Sequence, residues 1–414
     1  MGGTERAAQN FSIGYRNQGC EVKVLGLNGL GVRAGLLRQD GIEVFDGVEN
    51  RADVLAHLKK WNPDIIHIHR SGFANAEMMD AVSFLKKDNN RVLETNVFAR
   101  PDYSKASGLI DVHLQLSQWC LWKWKHWTAN IRPLPLGAVV PYPVDVEGIV
   151  KIKSKVSAKH FENIPPDAFI LGRVGQPLIS KWDGIIFDAL QDLLKEDELY
   201  FMVLIGLPEE LKQKLTTYPE QVRSHVILLP TTNSEAELGT LYKSFHCFVH
   251  AAAIGESFGM VLAEALLYEC PVISLSTPLK DNSQLEVVGH EKGGLIVDDK
   301  DNMVAAIRRL KADETLRRQY GQQGCNFVAD NYNLQTITSS ALKIARLALA
   351  SENKQQLQQH LLADENIIPE INTSKIILLA NNISGRLSFF TKIKMMVIHH
   401  PTLYWLFVKL RHGQ

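Results

Sequence analysis

Two carboxylates stand eight positions apart in the run Gly255-Glu256-Ser257-Phe258-Gly259-Met260-Val261-Leu262-Ala263-Glu264. The run reads as the start of a helix, and at ~1.5 Å rise per residue the two carboxylates would lie roughly 12 Å apart along its axis. That span matches the reach from a sugar ring, past a diphosphate, to a ribose. Between them, Phe258 and Gly259 offer main-chain amides at the helix N-terminus, where the first N–H groups have no acceptor inside the helix and the dipole favours anions. The same letters would also suit a helix whose Glu256 caps the first turn and whose Glu264 is solvated. A second pair weighs against that reading. Arg173 lies at the end of an apolar strand pattern over 168–174, and Lys181 follows a short loop. A diphosphate leaving group accumulates negative charge as its bond to the sugar breaks, and a guanidinium with an ammonium stabilises it. Taken singly, each residue would read as half of a surface ion pair.

These groups need a scaffold, and the pattern supplies one. Short β-branched runs over 21–27, 42–46, 64–69, 91–96 and 111–117 alternate with amphipathic stretches, the rhythm of a parallel sheet with crossover helices. Four prolines crowd 133–143 and read as an interdomain linker, placing a boundary near 145. The rhythm restarts with strands expected over 168–174, 200–206, 225–229, 245–250 and 271–275. Open α/β sheets bind ligands at the carboxyl ends of their strands. Two doubly wound domains, 1–145 and 146–350, are therefore expected to face a cleft. A polar, Gln-rich stretch over 351–360 reads as a linker to a tail. From 371 to 414 that tail has six Lys or Arg and no Asp or Glu, interleaved with apolar clusters.

Composition narrows the function classes. The chain has 414 residues, 45% hydrophobic and 22% charged, with 45 basic and 45 acidic side chains. A net charge of zero gives no general attraction to nucleic acid. Five cysteines, none in a C-x-x-C pair, suggest neither a metal site nor a disulfide framework and suit a reducing cytosol. No apolar run is long enough to span a membrane, and the first residues are not those of a signal peptide. His67 and His69 alternate along an expected strand and are read as facing opposite sides, which disfavours a shared metal.

The run from Gly255 to Glu264 resembles the E-x7-E signature of family 4 retaining glycosyltransferases of the GT-B fold. Leu171-Gly-Arg-Val-Gly175 with Ser180-Lys-Trp-Asp-Gly184 resembles their G-R…K-G diphosphate-binding segment, and Gly2-Gly3 is similar to the glycine-pair loop of their acceptor domain. The resemblance covers about 2–350 and is most specific in the second half. It implies a GT-B architecture with a nucleotide-sugar-binding domain over 146–350 and an acceptor-binding domain over 1–145, of which Gly3 marks the glycine loop. It implies that Arg173 and Lys181 grip the donor diphosphate, that Glu264 holds the ribose hydroxyls and that Glu256 orients the transferred sugar. Glu286 resembles a further carboxylate of the donor loop. A UDP- or GDP-linked sugar donor, no metal, and a glycan or lipid-linked acceptor in polysaccharide or glycolipid assembly are the corresponding expectations, making the chain a hexosyltransferase.

Two departures from the family pattern matter. Where relatives carry a histidine near the reacting sugar, this chain has Asn96, which can hydrogen-bond but cannot accept a proton near neutral pH. Relatives also carry an apolar strand before the glycine pair. Its absence predicts two unpaired edges in the first domain and suggests a truncated start. A nucleotide-sugar epimerase of the same fold is the enzymatic rival, disfavoured because no paired acid and base groups occur in the first-domain loops. A catalytically silent, membrane-bound partner subunit is the other. Trp119, Trp122, Trp124 and Trp127 read individually as packed rings, but all four are expected to be too many to bury on one face of a helix. The basic, amphipathic tail over 371–414 is expected to hold the protein at the inner face of a membrane as a peripheral, cytoplasmic enzyme.

Overall fold

The computed structural model describes residues 2–155, 161, 164–232 and 234–412. They form two compact α/β units, each assembled from separate stretches of chain. One contains Gly2–Val144, Tyr332–Thr373 and the chain from Ile393 onward; the other contains Asp145–Asn331 and Ser374–Lys392.

The unit built on the second half of the chain has a six-stranded parallel sheet. Its strands are β7 (Phe169–Val174), β8 (Tyr200–Ile205), β9 (Val226–Leu229), β10 (Cys247–His250), β11 (Val272–Leu275) and β12 (Gly294–Val297). They lie in the order β9-β8-β7-β10-β11-β12, so the winding reverses between β7 and β10. Such a reversal opens a crevice at the strands' carboxyl ends, where α/β sheets take their ligands. The strands are almost continuously apolar because helices cover both faces, and Leu171, Met202, Leu204, Val249, Ile273 and Leu295 are buried in one core. Each such side chain contributes about 1.5–3 kcal/mol through burial. Close packing also dictates Gly172, since a Cβ there would lie 2.0 Å from the Phe245 ring.

The unit containing the N-terminal residues holds two sheets. β1 (Lys23–Gly26) and β2 (Glu43–Asp46) pair in parallel, while β3 (Ile65–Arg70), β4 (Arg91–Asn96), β5 (Val112–Gln115) and β6 (Gly137–Val139) form a four-stranded sheet in that order. β1 and β3 are not paired with each other. Both instead line a cavity of about 910 Å³, together with Phe11 and Tyr15 of the helix Gly3–Asn17 and Leu342 of the helix Leu334–Ala350.

Several expectations change on contact with the structure. The proline-rich stretch over 133–143 includes β6, which pairs with β5 from His113↔Gly137 to Gln115↔Val139. The second expected domain was to run to 350, but the chain leaves that unit after Asn331. The reason is the helix Leu334–Ala350, whose buried Ile337, Ala341, Ile344 and Ala348 pack with the helix Gly3–Asn17 and β4. The Gln-rich stretch read as a linker contains the helix Lys354–Leu362, which buries Leu357 and Leu361 and is capped by Asn353 accepting from the Gln356 amide. Gly3 opens a helix rather than lying within a loop.

The four tryptophans are all buried, at 0%, 2%, 2% and 4% exposure. Burying all of them is possible because the helix Gln118–Thr128 is covered from more than one side. Trp124 sits over Gly137 of β6, where a Cβ would meet the ring at 2.5 Å. Trp122 and Trp127 meet His399, with ring centroids at 4.8 Å and 5.3 Å, and Trp127 stacks on Tyr404 at 3.8 Å.

His67 and His69 share a face, with ring centroids 4.4 Å apart. Residues two apart on a strand point the same way, which corrects the opposite-face expectation. Tyr15 Oη lies 2.9 Å from His67 Nδ1, and Thr95 Oγ1 lies 2.8 Å from its Nε2. Burial pushes His69 down to about 4 and His67 well below the ordinary 6.5. Burial likewise lowers His246 and His250 to about 4. These imidazoles are neutral in the folded protein, while the unfolded chain takes up protons below pH 6.5. Stability is therefore full above about 6.5 and falls as pH drops toward 4. Thermal unfolding across that window should show a steadily falling Tm, with a shallower slope in His69→Asn.

Candidate donor site

The site is built at the sheet's switch point from two loops, one following β7 and one following β10. Arg173 is 2% exposed, with its guanidinium carbon 4.9 Å from the Trp182 ring centre and 5.7 Å from that of Phe248. Burial pushes it down to about 10, partly offset by Glu256 and Tyr242, so it stays a cation at neutral pH. Its Nη1 donates to the Val174 carbonyl and its Nη2 to the Lys181 carbonyl at 2.8 Å. Arg173 thus fixes the backbone that carries Lys181. Trp182 helps by donating its indole N–H to the Gln176 carbonyl at 2.8 Å.

The two loops are joined through their main chains. The Ile254 amide donates to the Ser180 carbonyl at 3.0 Å and the Ala253 amide to the Trp182 carbonyl at 3.3 Å. Gly255 then turns the chain with φ +72°, so close to the next loop that a Cβ would lie 1.7 Å from the Asp281 carbonyl oxygen. Glu256 is pinned by its backbone: its amide donates to Gln284 Oε1 at 3.3 Å and its carbonyl accepts from the Ser283 amide at 2.8 Å. Gln284 is itself held, donating to the Leu275 carbonyl and to Thr277 Oγ1, each at 2.9 Å.

The Glu256 carboxylate is gripped at both oxygens. Oε2 lies 2.9 Å from Lys181 Nζ and Oε1 lies 3.2 Å from His250 Nε2. Burial alone would raise this carboxyl, but the Lys181 ammonium and the His250 hydrogen bond outweigh it and hold the group well below the usual carboxylate range. Lys181 is the outward member, its side chain 25% exposed against 8% for Glu256. Glu264 lies on the helix Met260–Leu267 and accepts from the Tyr242 hydroxyl at 3.2 Å.

The structure brings Arg173, Lys181 and Glu256 together, with Phe258 and Gly259 on the turn that follows. The expected spacing of Glu256 and Glu264 along one helix axis is corrected. The helix begins at Met260, after Gly259 at φ +87°, so the roughly 12 Å helical spacing does not describe the pair. Glu264 is buried rather than solvated. Glu286 is half-buried on the short helix Gln284–Val287. Asn96 and Gly3 belong to the other unit. The side chain of Asn96 closes a turn, Nδ2 donating to the Arg100 carbonyl at 2.8 Å and Oδ1 accepting from the Arg100 amide at 3.0 Å. Among the described residues no group of three or more His, Cys, Asp or Glu could hold a metal ion.

His250, Tyr242 and Gln284 were not singled out in the sequence. His250 had a legible signal, since it ends an expected strand at the edge where ligands bind. Tyr242 and Gln284 reach the site only through tertiary packing.

Residues 159–327 match the family model described as glycosyl transferases group 1. Among the curated proteins none matches in sequence. Solved structures do. A glycosyltransferase from Rickettsia africae aligns with TM-score 0.64 at 15% identity, over 84% of this chain and 96% of the other. The sucrose-phosphate synthase of Thermosynechococcus elongatus gives 0.62 at 15%, over 84% and 94%. Anabaena HepE, solved with UDP and glucose, gives 0.58 at 17%, over 83% and 95%. The chain carries a group 1 glycosyltransferase domain on the GT-B fold and is a glycosyltransferase enzyme.

The Gly255 turn sets where Glu256 stands, which gives a direct test. Gly255→Ala should lower folding stability by about 2–3 kcal/mol, because it adds left-handed strain and a backbone clash. Chemical denaturation measures this, and an unchanged midpoint would contradict the geometry.

Proposed function

We propose that this chain is a retaining hexosyltransferase that moves a sugar from a UDP- or GDP-linked donor to a glycan or lipid-linked acceptor at a membrane surface. The observation that carries the reading is the Glu256 carboxylate held beside Lys181, over a loop fixed by Arg173, at the switch point of the six-stranded sheet. HepE, solved with UDP-glucose, supports a nucleotide-sugar donor.

In this reading Lys181 swings from Glu256 to the diphosphate, and Arg173 adds a buried positive field while keeping the loop in place. Main-chain amides at the start of the helix Met260–Leu267 receive phosphate oxygens, and Glu264 takes the ribose hydroxyls. The bond from the anomeric carbon to the diphosphate oxygen breaks, and the acceptor oxygen bonds to that carbon on the same face. The acceptor proton passes to the departing phosphate, so the step needs no histidine base. Glu256, ionised throughout, orients the sugar and stabilises positive charge at its ring. Lys181→Ala should weaken UDP binding roughly 10- to 100-fold by calorimetry. Glu256→Gln should leave that affinity within a few fold and cut turnover by about 100-fold or more. Equal losses of binding in both variants would overturn these roles.

Membrane attachment is assigned to the tail helices Phe389–Ile398 and Pro401–His412. Phe389 and Phe390 are 72% and 74% exposed, and Ile393, Met396, Val397 and Leu403 are exposed with them. Lys392 and Lys394 interleave, and each basic residue near an anionic surface contributes roughly 1 kcal/mol. No helix among the described residues is long and apolar enough to cross a membrane. Because the tail also covers the tryptophan helix, point substitution tests it better than deletion. The double variant F389S/F390S should lose flotation with anionic liposomes while its thermal stability holds, and wild-type flotation should weaken as salt is raised. Flotation unaffected by both changes would refute the attachment.

The facing edges of β1 and β3, which do not pair with each other, favour a second reading, a catalytically silent partner subunit. Donor hydrolysis in the absence of acceptor separates the two.

A further inference from the structure

We propose that His250 is a positioning residue that holds the Glu256 carboxylate in its working orientation when Lys181 leaves it for the donor diphosphate. This deepens the function proposed above and rests on its assignment of Glu256 to the transferred sugar.

The argument begins with the sheet. β10 pairs in parallel with β11 with His250 opposite Ser274, so their side chains project from the same face as neighbours. His250 and Ser274 are both 0% exposed. Ser274 Oγ lies 3.1 Å from His250 Nδ1, and Glu256 Oε1 lies 3.2 Å from Nε2. An ionised carboxylate only accepts hydrogen bonds, so the proton between His250 and Glu256 must sit on Nε2. In a neutral imidazole the other nitrogen is then bare and accepts from the serine hydroxyl. The outcome is a directional chain in which Ser274 donates to His250 and His250 donates to Glu256, ending on the carboxylate oxygen that Lys181 does not use.

The charged groups around His250 fit a neutral ring. Arg173 on β7 and Lys181 on the following loop disfavour a second proton, and burial disfavours it more strongly; Glu256 acts in the opposite sense. The two holds on Glu256 therefore differ in kind. Lys181 is partly exposed and is the group a phosphate would compete for, whereas His250 is sealed in the core and has no access to a ligand. When the ammonium turns toward the diphosphate, the carboxylate keeps one fixed hydrogen bond and its orientation.

The test uses the full chain with a turned-over nucleotide sugar, comparing His250→Leu, His250→Gln and Ser274→Ala. Gln keeps an N–H donor near the Nε2 position; Leu removes it. His250→Leu should lower kcat roughly 10- to 100-fold with the donor KM changed less than about threefold. The acid limb of its kcat profile should move to higher pH, because Glu256 has lost a hydrogen bond that favours its charged form. His250→Gln should restore most of kcat and the position of the acid limb, and Ser274→Ala should fall between. A His250→Leu enzyme with wild-type kcat and pH profile, or one whose whole loss lies in KM, overturns the proposal.

A readout free of activity accompanies it. ¹⁵N spectra of imidazole-labelled protein, assigned with His250→Gln, should show His250 neutral with the proton on Nε2 at pH 7. A proton on Nδ1 or a charged ring overturns the proposal. If the Nε2 tautomer is found but the wild-type chain turns over no nucleotide sugar, it is the function assigned to Glu256 that fails.

Discussion

The site depends on keeping one carboxylate charged in a place that opposes charge. Buried without partners, Glu256 would bind a proton and lose its use as an anion. An ammonium on one oxygen and an imidazole N–H on the other reverse that preference. Those partners are placed by different parts of the sheet: His250 ends β10, and Lys181 sits on the loop that Arg173 holds at the end of β7. The switch between β7 and β10 is thus where the topology makes room for a ligand and also where opposite charges from distant sequence can meet. The turn at Gly255 completes the arrangement, since only a residue without a side chain can pass so near the Asp281 carbonyl.

Much of this was legible in the sequence because local chemistry dictates it. The strands of the second unit show as short apolar runs, and the cationic pair and the two glutamates carry a recognisable pattern. Two kinds of feature were hidden. Helix limits near glycine were misjudged, because Gly259 takes a left-handed conformation and delays the helix to Met260. The letters alone allow the helix to start earlier. Partners supplied by tertiary packing, such as Tyr242 to Glu264, leave no mark in local spacing.

The N-terminal unit was harder to read for a different reason. A proline-rich stretch can still contribute a short strand when a neighbour offers a matching edge, as β5 does for β6. Likewise, four tryptophans on one helix look excessive until segments remote in sequence cover them: His399 and Tyr404 lie more than 270 positions beyond Trp127. Asn96 shows the converse. Its amide suggested contact with a sugar, but the folded loop uses that group to satisfy Arg100 main-chain atoms, which are costly to leave unpaired when buried.

The path of the chain between the two units has a consequence for how such a molecule can be divided. The polypeptide crosses from one unit to the other after Val144, returns after Asn331, crosses again after Thr373 and returns once more after Lys392. No single cut separates two complete halves, because each would forfeit a piece carried by its neighbour. Recombination at one junction, whether in evolution or in the laboratory, could not transplant the nucleotide-binding half as a self-sufficient cassette; it would have to bring the C-terminal strap 374–392 with it.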